Sequence, residues 1–182
     1  MPVHLSPRPE KPSTIAGFTS IINFGGFGAT CKEIKGNATW ETTTTGTIDL
    51  SIIGCGFGPF GTCAPAEAKG LPFHLLTLPV DKPGILITPP AGGLYFKIVC
   101  TNVTFEVQGN GLIGTITAPN CGTESSTVTI KFSRTGSGVQ QHLEVEGTET
   151  DYQMALVPGG SPVALEAETA FGFEGKTQLI CT

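Results

Sequence analysis

In the stretch ATWETTTTGTIDLSII, residues 38–53, apolar and polar side chains alternate: Ile48, Leu50 and Ile52 fall on one face, Thr47, Asp49 and Ser51 on the other. A period of two marks a half-buried strand. It constrains this chain more than any other feature because strand-like runs recur along it. LPFHLLTLPV, GILITP, GGLYFKIVCTNVTFEV, LIGTITA, STVTIKFS, VQQHLEVEG, DYQMALV, PVALEAETAF and KTQLICT all read as strands. Between them stand turn residues, drawn from 25 glycines and 14 prolines, and no segment reads as a helix. The expectation is an all-β fold. Short connections join antiparallel neighbours, whereas a parallel sheet needs crossover helices, so the architecture expected is an antiparallel β-sandwich of about ten to twelve strands.

A chain of 182 residues can bury one sizeable core. Residues 1–12 hold Pro2, Pro7, Pro9 and Pro12 among charged side chains and read as an extended arm. The run STIAGFTSIINFGGFGAT after it reads as a strand of the same fold, or one that pairs with a neighbouring copy. The division expected is an N-terminal arm and strand over residues 1–30 and a single sandwich domain over residues 31–182.

Six cysteines, at 31, 55, 63, 100, 121 and 181, sit on a scaffold with only 14% charged residues. An even set on a β-rich chain predicts three disulfides and an oxidising compartment. There is no apolar run long enough for a membrane-spanning helix. The start, MPVHLSPRPEKPSTIAG, lacks a basic stretch followed by an apolar one, so it does not read as a signal peptide; the expectation is a trimmed chain, a mature form or a fragment, and the competing reading is a cytosolic protein with six buried thiols. Cys55 and Cys63 end the glycine-rich stretch GCGFGPFGTC and are expected to form a local staple. Asn110-Gly111 is a hairpin signal, and with these two as central turn residues Cys100 falls opposite Cys121 in a non-hydrogen-bonded pair, which suits a bridge. Elimination then leaves Cys31 with Cys181.

Motifs that carry chemistry fail on context. Gly56, Gly58 and Gly61 spell GxGxxG, with Asp81 downstream, but the helix that would bind a dinucleotide is blocked by Pro59, Pro65, Gly70 and Pro72. AFGFEGKT, residues 170–177, fits a relaxed phosphate loop ending in Gly175, Lys176 and Thr177. Too few residues follow for its helix, and Glu174 would sit in the anion cradle. The cysteines form no CxxC pairs, which argues against structural zinc. His142, Glu144 and Glu146 alternate on one strand face as a candidate cation set, read as a solvated edge; His4 and His74 stand apart. Glu144, Glu146, Glu166 and Glu168 are the carboxylates from which a glycosidase pair would be drawn. No GxSxG elbow is present, and no enzyme, cofactor or metal is expected. Among ten Lys and Arg only Lys176 lies beyond residue 138, against seven Asp and Glu there. That surface repels phosphate backbones and excludes nucleic acid. Asn37 and Asn102 begin glycosylation sequons. Trp40, Phe57 and Phe60 are the candidate partner or ligand surface, with Trp40 more readily a core residue.

The ordered set TTTTGTIDLSIIGC, LPFHLLTL, KPGILITP, VC, GNGLIGTITAPNCG and LICT resembles a family of secreted, uncharacterised actinobacterial β-rich proteins over residues 30–182. The resemblance implies an extracellular or cell-envelope location and adds no catalytic residue. The function expected is a non-enzymatic extracellular or cell-surface structural or binding module whose partner is a protein or envelope component. Two alternatives stand beside it. One is a self-assembling filament, capsid or surface-layer subunit that uses the N-terminal arm; the other is a carbohydrate-binding module or glycosidase built on Trp40 and the acidic C-terminal strands.

Overall fold

The computed structural model describes residues 3–18, 20–24, 27–56, 58–134, 143–145, 148–150, 154–157, 160 and 162–181. Its strands are β1 (His4–Ser6), β2 (Ser13–Gly17), β3 (Ser20–Phe24), β4 (Phe27–Cys31), β5 (Glu33–Trp40), β6 (Thr45–Ile53), β7 (Ala66–Leu78) and β8 (Lys82–Ile87). There follow β9 (Leu94–Val99), β10 (Thr104–Gly109), β11 (Leu112–Ala118), β12 (Glu124–Phe132), β13 (Leu143–Val145), β14 (Thr148–Thr150), β15 (Met154–Val157) and β16 (Pro162–Ile180). Two short 3-10 turns, Gly58–Phe60 and Pro79–Asp81, complete the regular structure of the described residues.

Eight strands close into an antiparallel barrel in the order β12, β11, β8, β7, β6, β5, β2, β16, with β16 pairing back onto β12. An eight-stranded barrel is just wide enough for side chains to fill. Leu5, Leu75, Ile85, Ile130, Phe171 and Leu179 pack around Trp40 and leave only about 10 Å³ between them. Trp40 meets Phe73 edge to face at 4.9 Å between centroids, and its indole N–H donates to Ser13 Oγ at 2.9 Å. Where β5 crosses β6 the backbones approach so closely that a Cβ at Gly36 would stand 1.9 Å from the carbonyl oxygen of Asp49. Only glycine fits there.

A second sheet runs β4, β3, β16, β15, β10, β9. β16 belongs to both sheets: residues 163–166 pair with β3, and residues 169–172 pair with β2. The loop after β6 links the outer strands of the second sheet through bridges from Thr30 to Gly56, from Gly56 to Thr62 and from Cys63 to Cys100. The β13–β14 hairpin lies against β7 and the Pro79–Asp81 turn, near a small second core of Leu76, Leu78, Leu86 and Ile113.

The all-β, antiparallel, disulfide-linked reading holds, but the plain sandwich does not. Alternation looks the same in both architectures, because each buries one face of every strand; the closure of β12 onto β16 decides between them. The free arm expected over residues 1–12 is also replaced, and of the two readings of the run after it the strand of the same fold is the one seen. Val3, Leu5 and Ile15 are buried, β2 is a barrel stave between β5 and β16, and β3 and β4 pair within the chain.

All three expected disulfides are corrected. Cys31 bonds Cys55, Cys63 bonds Cys100, and Cys121 bonds Cys181. The Asn110-Gly111 hairpin does not form, because β10 takes β9 and β15 as neighbours while β11 takes β8 and β12. The turn instead carries the chain from one sheet to the other, so Cys100 never faces Cys121. Cys55 and Cys63 are joined by a backbone bond, Cys63 N–H to Cys55 O at 3.2 Å, yet each sulfur bonds outward to a different strand end.

Val80, in the turn between β7 and β8, holds φ 62° and is 87% exposed. A β-branched residue in the left-handed region is strained by about 1 to 2 kcal/mol, and its methyls gain little packing at that exposure. Asn tolerates this region. Val80→Asn is therefore expected to stabilise the protein by about 1 kcal/mol in urea denaturation.

Candidate functional site

β8 pairs with β7 only along residues 73–78 of β7. Among the described residues, residues 66–71 therefore have β6 as their one paired strand, and β9 has only β10. These two unpartnered edges face each other across an open cleft of about 460 Å³, lined on one side by Pro65, Glu67 and Lys69 and on the other by Leu94, Tyr95, Phe96 and Lys97. One end is pinned by the Cys63–Cys100 disulfide and by Ala64 N–H donating to Val99 O at 2.8 Å. In the β9–β10 hairpin Cys100 N–H donates to Val103 O at 2.8 Å. Because backbone direction alternates along a strand, the peptide groups of Val99 and Lys97 then turn away from β10, toward the cleft.

Behind the cleft, between the barrel and the second sheet, lies a cavity of about 40 Å³. Ala68 and Leu71 of β7, Tyr95 and Phe96 of β9, and Met154 and Leu165 stand in its wall. Tyr95 and Phe96 line the cleft as well, so these two side chains separate the cavity from solvent. The Tyr95 hydroxyl donates to Ile87 O at 3.0 Å, and burial raises its pKa above the usual phenol range. At the mouth, Glu67 accepts a bond from Ser51 Oγ at 2.7 Å, and Lys97 Nζ lies 3.5 Å from Glu106. Lys69 is exposed and has no ion-pair partner among the described residues.

The residues singled out from sequence lie elsewhere. Trp40, expected as a candidate partner surface, is 5% exposed inside the barrel, because the alternation of β5 turns it inward beside Ser13. Phe57 lies outside the described residues, as does the Phe60 side chain; the backbone of Phe60 ends the Gly58–Phe60 turn. Of the GxGxxG glycines Gly58 opens this short turn, Gly56 bridges Thr30 and Thr62 and Gly61 follows the turn, and no longer helix is present among the described residues. Residues 170–177 are extended within β16. There Thr177 Oγ1 donates to Pro7 O at 2.8 Å, and Glu174 pairs with Lys11, which raises the lysine's pKa through their hydrogen bond and charge. His142, Glu146 and the side chain of Glu144 lie outside the described residues. Glu166 binds Arg134 Nε at 3.0 Å. Lys69, Tyr95, Phe96 and Lys97 were not singled out from sequence, although one signal pointed to β9. Consecutive aromatics on a strand start out on opposite faces, yet Tyr95 is buried and Phe96 half-buried against the same core.

The buried phenol predicts a pH dependence. Above the ordinary phenol pKa of about 10 the unfolded chain ionises at this residue while the folded chain stays protonated, so stability falls as pH rises. Urea midpoints between about pH 8 and 11 should decline in the parent protein and decline less in Tyr95→Phe. The variant should lose about 1 kcal/mol at neutral pH, because Ile87 O forfeits its donor.

Compared with family models, with curated proteins and with solved structures, the chain matches none.

Proposed function

We propose that this chain is a non-enzymatic binding module of the cell exterior or envelope, and that the cleft between β7 and β9 is its recognition surface. One observation carries the reading: two strand edges that have no second strand partner among the described residues face each other over an open groove. Bare edges invite pairing with other chains and are normally covered or charged; edges pinned together at one end by a disulfide and diverging beyond it offer backbone groups to a ligand. Three disulfides support an oxidising compartment, and the likeness to secreted actinobacterial β-rich proteins argues for the same placement. The partner in this reading is a protein or envelope component that presents apolar groups beside a charge, to match Leu94 and Phe96 beside Lys69 and Lys97.

Two measurements test it. Alkylation of the unreduced, unfolded protein should label no cysteine, and labelling of all six would remove the support for the compartment. Chemical-shift mapping of the isotopically labelled protein against short peptides, glycans and amphiphiles should concentrate changes at Glu67, Lys69 and residues 94–97. Changes centred on the exposed Phe18 and Ile21, or no changes with any of the three classes, would overturn the assignment of the cleft.

A further inference from the structure

We infer that the cleft takes an extended segment of a partner protein, which adds to β9 as a strand and lies between β9 and the first half of β7. This rests on the reading of the cleft as the recognition surface. The protein's own backbone makes the first rung of such a ladder. At the pinned end Cys63 bridges Cys100 antiparallel, and Ala64 N–H donates to Val99 O at 2.8 Å. The chain then leaves β9 and pairs with β6 from Ala66 onward, and the peptide groups of Lys97 have no strand partner on the cleft side among the described residues. Donors and acceptors repeating at strand spacing are matched by the backbone of another strand.

The room fits one strand and no folded sheet. A residue in a sheet fills about 160 Å³, from its rise, the spacing of strands and the distance between packed layers, so a cleft of about 460 Å³ holds about three residues. The edge strand of a folded sheet brings a neighbour with it and would collide with β7; a segment with both edges free would not. Beyond the Ala64–Val99 bond β7 and β9 share no ladder, so spreading them to seat the segment breaks no strand pairing. Charge sets no sign for the partner, because Lys69 and Lys97 are matched by Glu67 and by Glu106, which lies 3.5 Å from Lys97 Nζ. Side-chain preference comes from the two faces of the added strand. A partner residue that exchanges hydrogen bonds with Lys97 turns its side chain to solvent, as exposed Lys97 does, and the residues on either side of it turn inward, onto half-buried Phe96. The fit is a polar residue flanked by apolar, β-branched ones.

Calorimetric titration with a blocked heptapeptide, three threonines alternating with two valines between terminal lysines, tests this. N-methylation of the threonine amides, the donors turned to β9, should weaken binding about tenfold. Lys97→Pro removes an N–H that faces the cleft and spares the β10 ladder, a change that edge strands tolerate. It should also weaken binding about tenfold, while Lys97→Ala, which keeps the N–H, should stay within about threefold of the parent. In the parent protein the peptide should slow hydrogen exchange at the Lys97 amide about tenfold or more, and this measurement decides should Lys97→Pro fail to fold. A version with glutamates in place of the terminal lysines should bind within about threefold of the first. Equal affinity of the N-methylated peptide, unchanged exchange at Lys97, or a preference of about tenfold for either terminal charge would overturn the inference. So would self-association of the free protein that Lys97→Pro abolishes, since it gives the cleft to a second copy. Shift changes at residues 67–69 and 94–97 with a glycan or amphiphile but none with this peptide would refute this partner and keep the cleft; changes centred elsewhere would refute both.

Discussion

The register of β16 is the constraint on which both sheets depend. Along its 19 residues the same face is turned inward on both sides of an exposed stretch at residues 174–176: Val163 and Leu165 reach the cavity between the sheets, and Phe171 and Leu179 reach the barrel interior. A slip of one residue would turn both sets to solvent at once. The strand accommodates two differently curved surroundings by changing partners and not phase. It leaves β3 for β2 on one side, and on the other its register against β12 shifts between Ser125 and Thr127. Cooperative folding of the two sheets follows, since neither can set its register on β16 independently.

The loop GCGFGPFGTC matters for a related reason. The second sheet has two outer strands, β4 and β9, and the loop reaches both: Cys55 bonds Cys31 at the end of β4, and Cys63 bonds Cys100 just after β9. Backbone bridges run alongside. The outer strands are thereby fastened by covalent links at one end of each, at Cys31 and at Cys100. With separations of 24, 37 and 60 residues, each disulfide removes about 3 to 4 kcal/mol of unfolded-state freedom in the chain-entropy picture. Their positions at strand ends, and not within the barrel core, give them the task of holding the ends of the sheets together.

What the sequence discloses divides along the same line. Alternation in β5 and β6 identifies the buried face, since Ile48 and Ile52 are buried on the side foreseen, and glycine and proline spacing excludes long helices. Partner choice is the part it hides. Asn110-Gly111 has the right local chemistry for a hairpin, but its flanking strands each have two better-matched neighbours. Local propensity gives way to tertiary pairing, and the error propagates to Cys100–Cys121 and, by elimination, to Cys31–Cys181. The expected arm fails similarly: four prolines over residues 1–12 describe a segment without internal pairing and say nothing of Leu5 entering another element's core. The cleft is hidden for the same reason, because it depends on which edges remain unpaired once every strand has chosen its neighbours.

That cleft is a consequence of unequal strand lengths. β7 has 13 residues and β8 has six, so the first half of β7 extends past its neighbour and a gap opens in the wall around the cavity. β9 approaches the gap but takes its register from β10, and its contact with β7 is made by side chains and by the pinned end at Ala64 and Val99. Widening the gap therefore breaks no strand ladder between β7 and β9; it requires Tyr95 and Phe96 to move against the Ile87 carbonyl and the surrounding apolar side chains. The closed barrel and disulfides tie the rest of the two sheets together, and this seam is where the wall is held by side-chain packing and one pinned end.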